Sequence, residues 1–302
     1  MEKVADIPSE RSVAPYAALI GVQIFFGSLP VIGKVVLKVI PAFGLVGFRV
    51  TITAVAFAIV QAVRGRFWLR EKRDYGRLAV LSLFGVTFNQ LLFISGLSLT
   101  KASNTSLLAA TIPIFTLTVS SVFGFEKLRG IKIAGILLAC IGVLLLIDPR
   151  NASFSSQTTM GDMLIVANSL SYGIYVATSK SVITRNGAFR SMMWVFIFAA
   201  VICLPVGVNS MASVELADVS TDVWLLILYI AIGATASPYL LNAWALARVN
   251  PSTVAVYVYL QPLIGFLLAV IFLGESIDVK FIVAASMVFA GVFLATFRRR
   301  PA

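Results

Sequence analysis

Two stretches of this chain, SNTSLLAATIPIFTLTVSSVFGFE at residues 103–126 and STVAVYVYLQPLIGFLLAVIFLGE at residues 252–275, align without a gap. At a constant offset of 149, Ser103 meets Ser252, Pro113 meets Pro262 and Glu126 meets Glu275, and further on Gly142 meets Gly291. Upstream the offset is 146: Gly27 meets Gly173, Lys34 meets Lys180, and Ala42–Phe43 meets Ala188–Phe189. Coincident Leu or Val means little in an apolar chain. Lys, Pro and Glu are scarce inside apolar runs, so their recurrence at fixed spacing marks an internal repeat.

Each copy of the repeat consists of apolar runs. A helix that crosses a bilayer needs about 20 mostly apolar residues. Ten such runs can be marked, centred near Phe25, Ala54, Thr87, Ile112, Leu138, Ser171, Phe198, Ala234, Leu263 and Phe289. The predicted fold is therefore an all-α integral membrane protein, with ten transmembrane helices arranged as two five-helix repeats. Residues 1–148 are expected to form the first repeat and residues 160–302 the second. Five is odd, so the second copy enters the membrane the opposite way round. Inverted repeats are a recurring plan of secondary transporters, because two such copies can exchange conformations and open each side in turn.

Composition supports the lipid setting. Of 302 residues 59% are hydrophobic and 12% charged, with a mean hydropathy of +0.97, where soluble domains carry about 25% charged residues. The net charge of +11 does not imply nucleic acid, because Lys and Arg sit between the apolar runs, where topology and anionic headgroups account for them. With the N-terminus inside, eighteen of the 24 basic residues fall in cytoplasmic segments, five outside, and Arg49 within a span. That bias puts both termini in the cytoplasm. The Arg64–Arg77 loop contains Phe67, Trp68 and Tyr75 among its cations, a composition suited to a cytoplasmic lipid interface. The first apolar run is too long for a signal peptide and lacks a cleavage site, so it reads as a retained span.

Ten spans in two halves, with paired stretches running from a small polar residue through a proline to a Glu beside Gly or Phe (Phe123-Gly124-Phe125-Glu126 and Phe272-Leu273-Gly274-Glu275), resemble the drug/metabolite transporter superfamily, EamA type. Gly124 stands one place earlier than its partner Gly274. The resemblance covers essentially the whole chain and implies export of amino acids or related metabolites, with import also represented in the family. The bacterial inner membrane is the expected location.

Arg49 is the most informative single residue. A charge about 12 Å into a span, at 1.5 Å per residue, faces a bundle interior or a cavity by default. It can anchor a carboxylate through paired donors, or it can bond helix-end carbonyls. Its counterpart in the second repeat is Val195. The further candidates for a substrate site are polar or aromatic residues in mid-span: Asn89, Gln90, Tyr172, Tyr175, Asn242, Trp244, Tyr257 and Gln261. Thr253, Tyr257 and Gln261 recur every four residues and form one stripe. Interhelical hydrogen bonding is the competing explanation for any of them. Lys34 and Lys180 hold matching places and read as serving helix ends, interfaces or gates. Pro30, Pro113 and Pro262 are candidate hinges. Glu126 and Glu275 read as structural, pairing with Lys127, Lys280 or helix termini.

All 13 acidic residues lie outside the middles of spans, and the chain has no histidine. Both absences speak against a buried proton relay and favour a facilitator. No nucleophile motif, paired intramembrane acids, metal-ligand cluster or nucleotide-binding loop is present, so neither an enzyme nor a cofactor is expected. The expected partners are a small-molecule substrate and the lipid bilayer, with a homodimer left open. The function this supports is a secondary transporter working by alternating access, with export the direction that the resemblance implies. The alternatives are a non-transporting membrane scaffold or receptor subunit, and an importer or channel for a small solute.

Overall fold

The computed structural model describes residues 13–147, 156–212, 214–264, 267 and 279–296, and among these the regular elements are all helical. The elements are α1 (Ala14–Val36), α2 (Ala42–Val63), α3 (Lys72–Leu99), α4 (Ala102–Ala109), α5 (Ile112–Val122), α6 (Gly130–Ile147), α7 (Ser156–Asn186), α8 (Ala188–Ser210), α9 (Thr221–Leu246), α10 (Pro251–Val256) and α11 (Val279–Thr296). α1, α2, α3, α8 and α9 are each long and apolar enough to cross a membrane. α4 and α5 together make the fourth span, and α10 opens the ninth. α6, α7 and α11 occupy the fifth, sixth and tenth places.

The local causes are readable. α1 starts with a proline in its first turn and α2 is preceded by Pro41 with ψ 149°, a residue that cannot continue a helix backward. α7 passes into α8 through Gly187 alone, at φ 85°. Only glycine holds that conformation without strain, so a single residue reverses the chain.

Polar side chains are buried among the apolar core, and large apolar side chains cover the outside. Val201, Val208, Phe289 and Phe293 are 61–70% exposed, while Gln23, Arg49, Thr53, Asn104 and Ser169 are at most 1% exposed. A lipid-facing surface produces this arrangement, since apolar side chains are at home in hydrocarbon and backbone groups must be satisfied within helices.

The repeat is visible in the packing. α3 lies along α7 as α9 lies along α1, and the pairs α2–α8, α5–α10 and α6–α11 join equivalent helices of the two halves. Two of these joints, α2–α8 and α6–α11, are glycine seams, as expected where helices associate by close approach rather than by a hydrophobic drive. A Cβ on Gly47 would lie 2.9 Å from the Gly207 Cα. In α6–α11 the contact is reciprocal: a Cβ on Gly142 would meet Ala284 O at 2.9 Å, and one on Gly291, the partner of Gly142, would meet Gly135 O at 2.5 Å. Gly135 is itself the counterpart of Ala284.

Two further symmetric details serve the ends and middles of helices. Lys34 Nζ donates to Thr100 O (2.7 Å) at the C-terminal end of α3, and Lys180 Nζ donates to Val249 O (2.6 Å) beyond α9. Midway, α3 widens to a π-turn at Leu83–Thr87 and α9 does so at Ile232–Ala236, 149 residues on. Such turns loosen the carbonyl ladder and recur at functional sites.

Candidate functional site

Between the two halves lies a cavity of about 70 Å³. One water needs only about 10–15 Å³ of such space, so this volume is on the scale of a small solute. α1 contributes Gln23 and Phe26, α2 Arg49, and α3 Asn89, Gln90 and Phe93; α7 contributes Asn168 and Tyr172, α9 Tyr239 and Asn242, and the ninth span Val258 and Gln261.

The polar groups hold one another. Gln261 Nε2 donates to Gln23 Oε1 (2.8 Å) across the two repeats, and Asn168 Nδ2 donates to Asn89 O (2.8 Å). Asn242 Nδ2 donates to the Tyr172 hydroxyl. The Tyr239 hydroxyl accepts from Gln90 Nε2 (2.9 Å) and has two acceptors within reach, Gly85 O at 2.9 Å and Asn89 Oδ1 at 2.8 Å. One phenolic proton can serve only one of them at a time. The wall is thus a set of amides and phenols able to give or take hydrogen bonds, with Phe26 edge-on to Tyr239 at 5.9 Å between ring centres.

Arg49 is the one charge among the lining residues. It is 0% exposed. Its Nε donates to Thr235 Oγ1 (2.9 Å) and its Nη2 lies 3.4 Å from Ala234 O, both within the π-turn of α9, while Nη1 has no hydrogen-bond partner among the described residues. Both sequence readings of this residue therefore have something in the structure: one side bonds backbone at a helix irregularity, and the other is unused beside a cavity.

Of the other sequence candidates, Asn89, Gln90, Tyr172, Asn242 and Gln261 line the cavity, and Tyr175, Trp244 and Tyr257 do not. Tyr175 packs its ring over Gly85, where a Cβ would come within 2.4 Å of it, and its hydroxyl faces the Met192 sulfur at 3.5 Å. Trp244 carries the Arg248 guanidinium on its face at 4.0 Å. Tyr257 stacks on Tyr16, ring centres 6.3 Å apart. On the ninth span the cavity face is Val254, Val258 and Gln261, at helical spacing, so the expected stripe meets it only at Gln261, while Thr253 and Tyr257 each stand one residue, about 100°, round the helix from it.

Of the candidate hinges, Pro113 sits in the first turn of α5, after a turn at Ala110–Thr111 in which Thr111 keeps helical dihedrals (φ −79°, ψ −15°), so the fourth span is interrupted at this proline. Pro30 lies inside α1 and Pro262 in the helical continuation of the ninth span. Glu126 does not pair with Lys127. Its carboxylate accepts from Ser252 N (2.9 Å) and Ser252 Oγ (2.7 Å) and forms an ion pair with Lys132, which also reaches Ser252 Oγ (2.9 Å). Glu126 thereby closes the N-terminus of α10 against the end of α5. Glu275 lies outside the described residues.

Sequence reasoning missed Gln23, Asn168 and Tyr239. Asn168 stands four residues before Tyr172, and Gln23 is an amide alone in an apolar run, so both left a signal. Tyr239 follows Pro238 and could have been placed only with the π-turn known.

The family model described as "EamA-like transporter family" matches residues 14–148 and again 159–297. A protein of Streptantibioticus cattleyicolor named "Probable terminal-alkyne amino-acid exporter" is 27% identical over 94% of this chain and 93% of its own length. An "Uncharacterized transporter" of Archaeoglobus fulgidus is 27% identical over 76% of this chain and 81% of its own. Among solved structures, one crystal structure superposes with a TM-score of 0.75 at 20% identity, covering 93% of this chain and 96% of that one, a likeness of fold.

Proposed function

Because the chain belongs to the EamA-like transporter family, we propose that it exports a small metabolite bearing a carboxylate, an amino acid or a near relative, by alternating access between residues 1–148 and 160–302. The central cavity is the substrate site, and Arg49 receives the carboxylate. The observation that carries this reading is a guanidinium with 0% exposure, whose Nη1 lacks a partner, beside a cavity that no carboxylate lines among the described residues. A buried cation is stable when paired, and here the substrate supplies the counter-charge. The amides of Gln23, Asn89, Gln90 and Asn242 meet the polar remainder, while the faces of Phe26, Phe93, Tyr172 and Tyr239 suit an apolar body or an ammonium group. The printed name of the Streptantibioticus relative supports the amino-acid class and the export direction. The basic residues support cytoplasmic termini, in a bacterial inner membrane.

The test is a pair of substitutions read with a matched pair of ligands. Purified protein is screened for thermal stabilisation by the proteinogenic amino acids; one at 100 times its Kd adds about 2.7 kcal/mol. Arg49→Gln then weakens binding of the best acid by roughly 2–5 kcal/mol, over tenfold in Kd even at the low end. Arg49→Lys recovers part of it, because the charge stays and the planar fork goes. The amide of the same amino acid loses much less in Arg49→Gln. Equal losses for acid and amide assign Arg49 to the helix alone and sink the carboxylate reading.

A further inference from the structure

The two π-turns are equivalent in position and unequal in how they are held. In α3, Phe84 O accepts from Ser171 Oγ (2.8 Å) and Gly85 O from the Tyr239 hydroxyl (2.9 Å). In α9, Ala231 O accepts from Thr53 Oγ1 (2.8 Å), while Ala234 O and Thr235 Oγ1 face Arg49. Arg49 and Thr53 stand four residues apart on α2 and so share a face. Their counterparts in the second repeat are Val195 and Ala199, neither of which carries a polar side chain. The polar grip on a π-turn from this face occurs in one half.

A guanidinium is a rigid fork of five N–H groups. Its Nε and Nη2 define one edge, and Nη1 with the second hydrogen of Nη2 defines the other. The α9 turn takes the first edge and leaves Nη1 without a partner. Thr235 makes this arrangement directional. Its hydroxyl donates its single proton to Ile230 O (2.6 Å), so only lone pairs are left to face Arg49 Nε. In an ordinary ladder Ala234 O would look to residue 238, which is a proline with no N–H to donate, so Arg49 supplies a donor that the α-ladder lacks.

We propose that the π-turn of α9 is a socket for Arg49, and that Thr235 is a specificity-determining positioning residue: by holding the Nε–Nη2 edge it presents the Nη1–Nη2 edge to a two-oxygen anion, the substrate carboxylate. This rests on the cavity being the substrate site. Bidentate recognition depends on the angle of the fork as well as on charge, so loss of the socket blunts discrimination between carboxylate and amide while the cation remains.

The experiment measures Kd for each of the twenty proteinogenic amino acids and their α-amides on purified protein in nanodiscs, in wild type and four variants. Thr235→Val, which keeps the branched shape and removes the acceptor, lowers the acid-over-amide preference of the best-bound amino acid about tenfold. Thr235→Ser restores it. Thr53→Val, which removes the bond to Ala231 O just before the turn and leaves the Thr235 contact with Arg49 in place, keeps that preference as in wild type. Should Thr235→Val fail to fold, Thr235→Ala removes the same acceptor with less bulk, and the ratio is read there. An unchanged ratio in the variant lacking the hydroxyl overturns the socket while leaving the cavity reading intact, and so does an equal drop in Thr53→Val. If no amino acid binds wild type, the cavity reading fails and the socket falls with it.

Discussion

Tyr175 shows how a residue can be buried near a site and serve it only from behind. Its ring lies where a side chain on Gly85 would be, and Gly85 belongs to the π-turn whose carbonyl reaches Tyr239. Gly85→Ala should therefore cost about 1–3 kcal/mol, the usual range for overpacking a full interior, read as a lower unfolding midpoint in detergent. Adding Tyr175→Leu should recover most of the loss; a double variant no more stable than Gly85→Ala would show that the clash is not with the ring. Arg49, Gln90 and Asn242 were legible as candidates because a polar group deep in an apolar run must find a partner or a cavity. Trp244 and Tyr257 were misjudged for a geometric reason. Depth along a span can be read from sequence, but the direction a side chain faces turns by about 100° with each residue. Trp244 stands two residues, about 200°, round from Asn242, and Tyr257 one residue, about 100°, from Val258, both of which line the cavity.

Between elements, Glu126 with Lys132 and the start of α10 forms one polar joint between the halves. Side-chain exposures of 4% and 12% make it a buried pair, and removing one partner of such a pair typically costs 3–5 kcal/mol. The two partners are not equivalent. Lys132→Ala leaves Glu126 with two hydrogen bonds from Ser252, whereas Glu126→Ala leaves both a lysine without its counter-ion and the first turn of α10 without its acceptor. Glu126→Ala should be the more destabilising, and the double variant should lose less than the sum of the single losses, as measured by denaturation in detergent. Additive losses would mean that the two residues act apart. The apolar runs were legible as spans by length alone. The break between α4 and α5 falls where Pro113 has no N–H to give Ala109 O, four residues back, so its place could be read from the proline.

At the scale of the whole molecule, the distribution of Arg and Lys sets which way the bundle faces. In a background with Cys140 and Cys203 replaced by Ser, a membrane-impermeant thiol reagent on intact cells should label Ala217→Cys, an exposed position between α8 and α9, and should label Gly76→Cys, exposed at the start of α3, only after lysis. The opposite pattern would turn the molecule over. The repeat was legible in the sequence because Lys, Pro and Glu recur at fixed intervals, and the pairing of helices across it was not, since packing partners leave no spacing behind. One of those pairings reaches beyond stability. In the α6–α11 seam, Gly142 meets Ala284 as Gly291 meets Gly135, so the surface fits an upside-down copy of itself. A self-complementary patch of this kind is what two identical chains use to form a dimer. Two copies on one chain keep that match while being free to differ elsewhere, as Arg49 opposite Val195 shows.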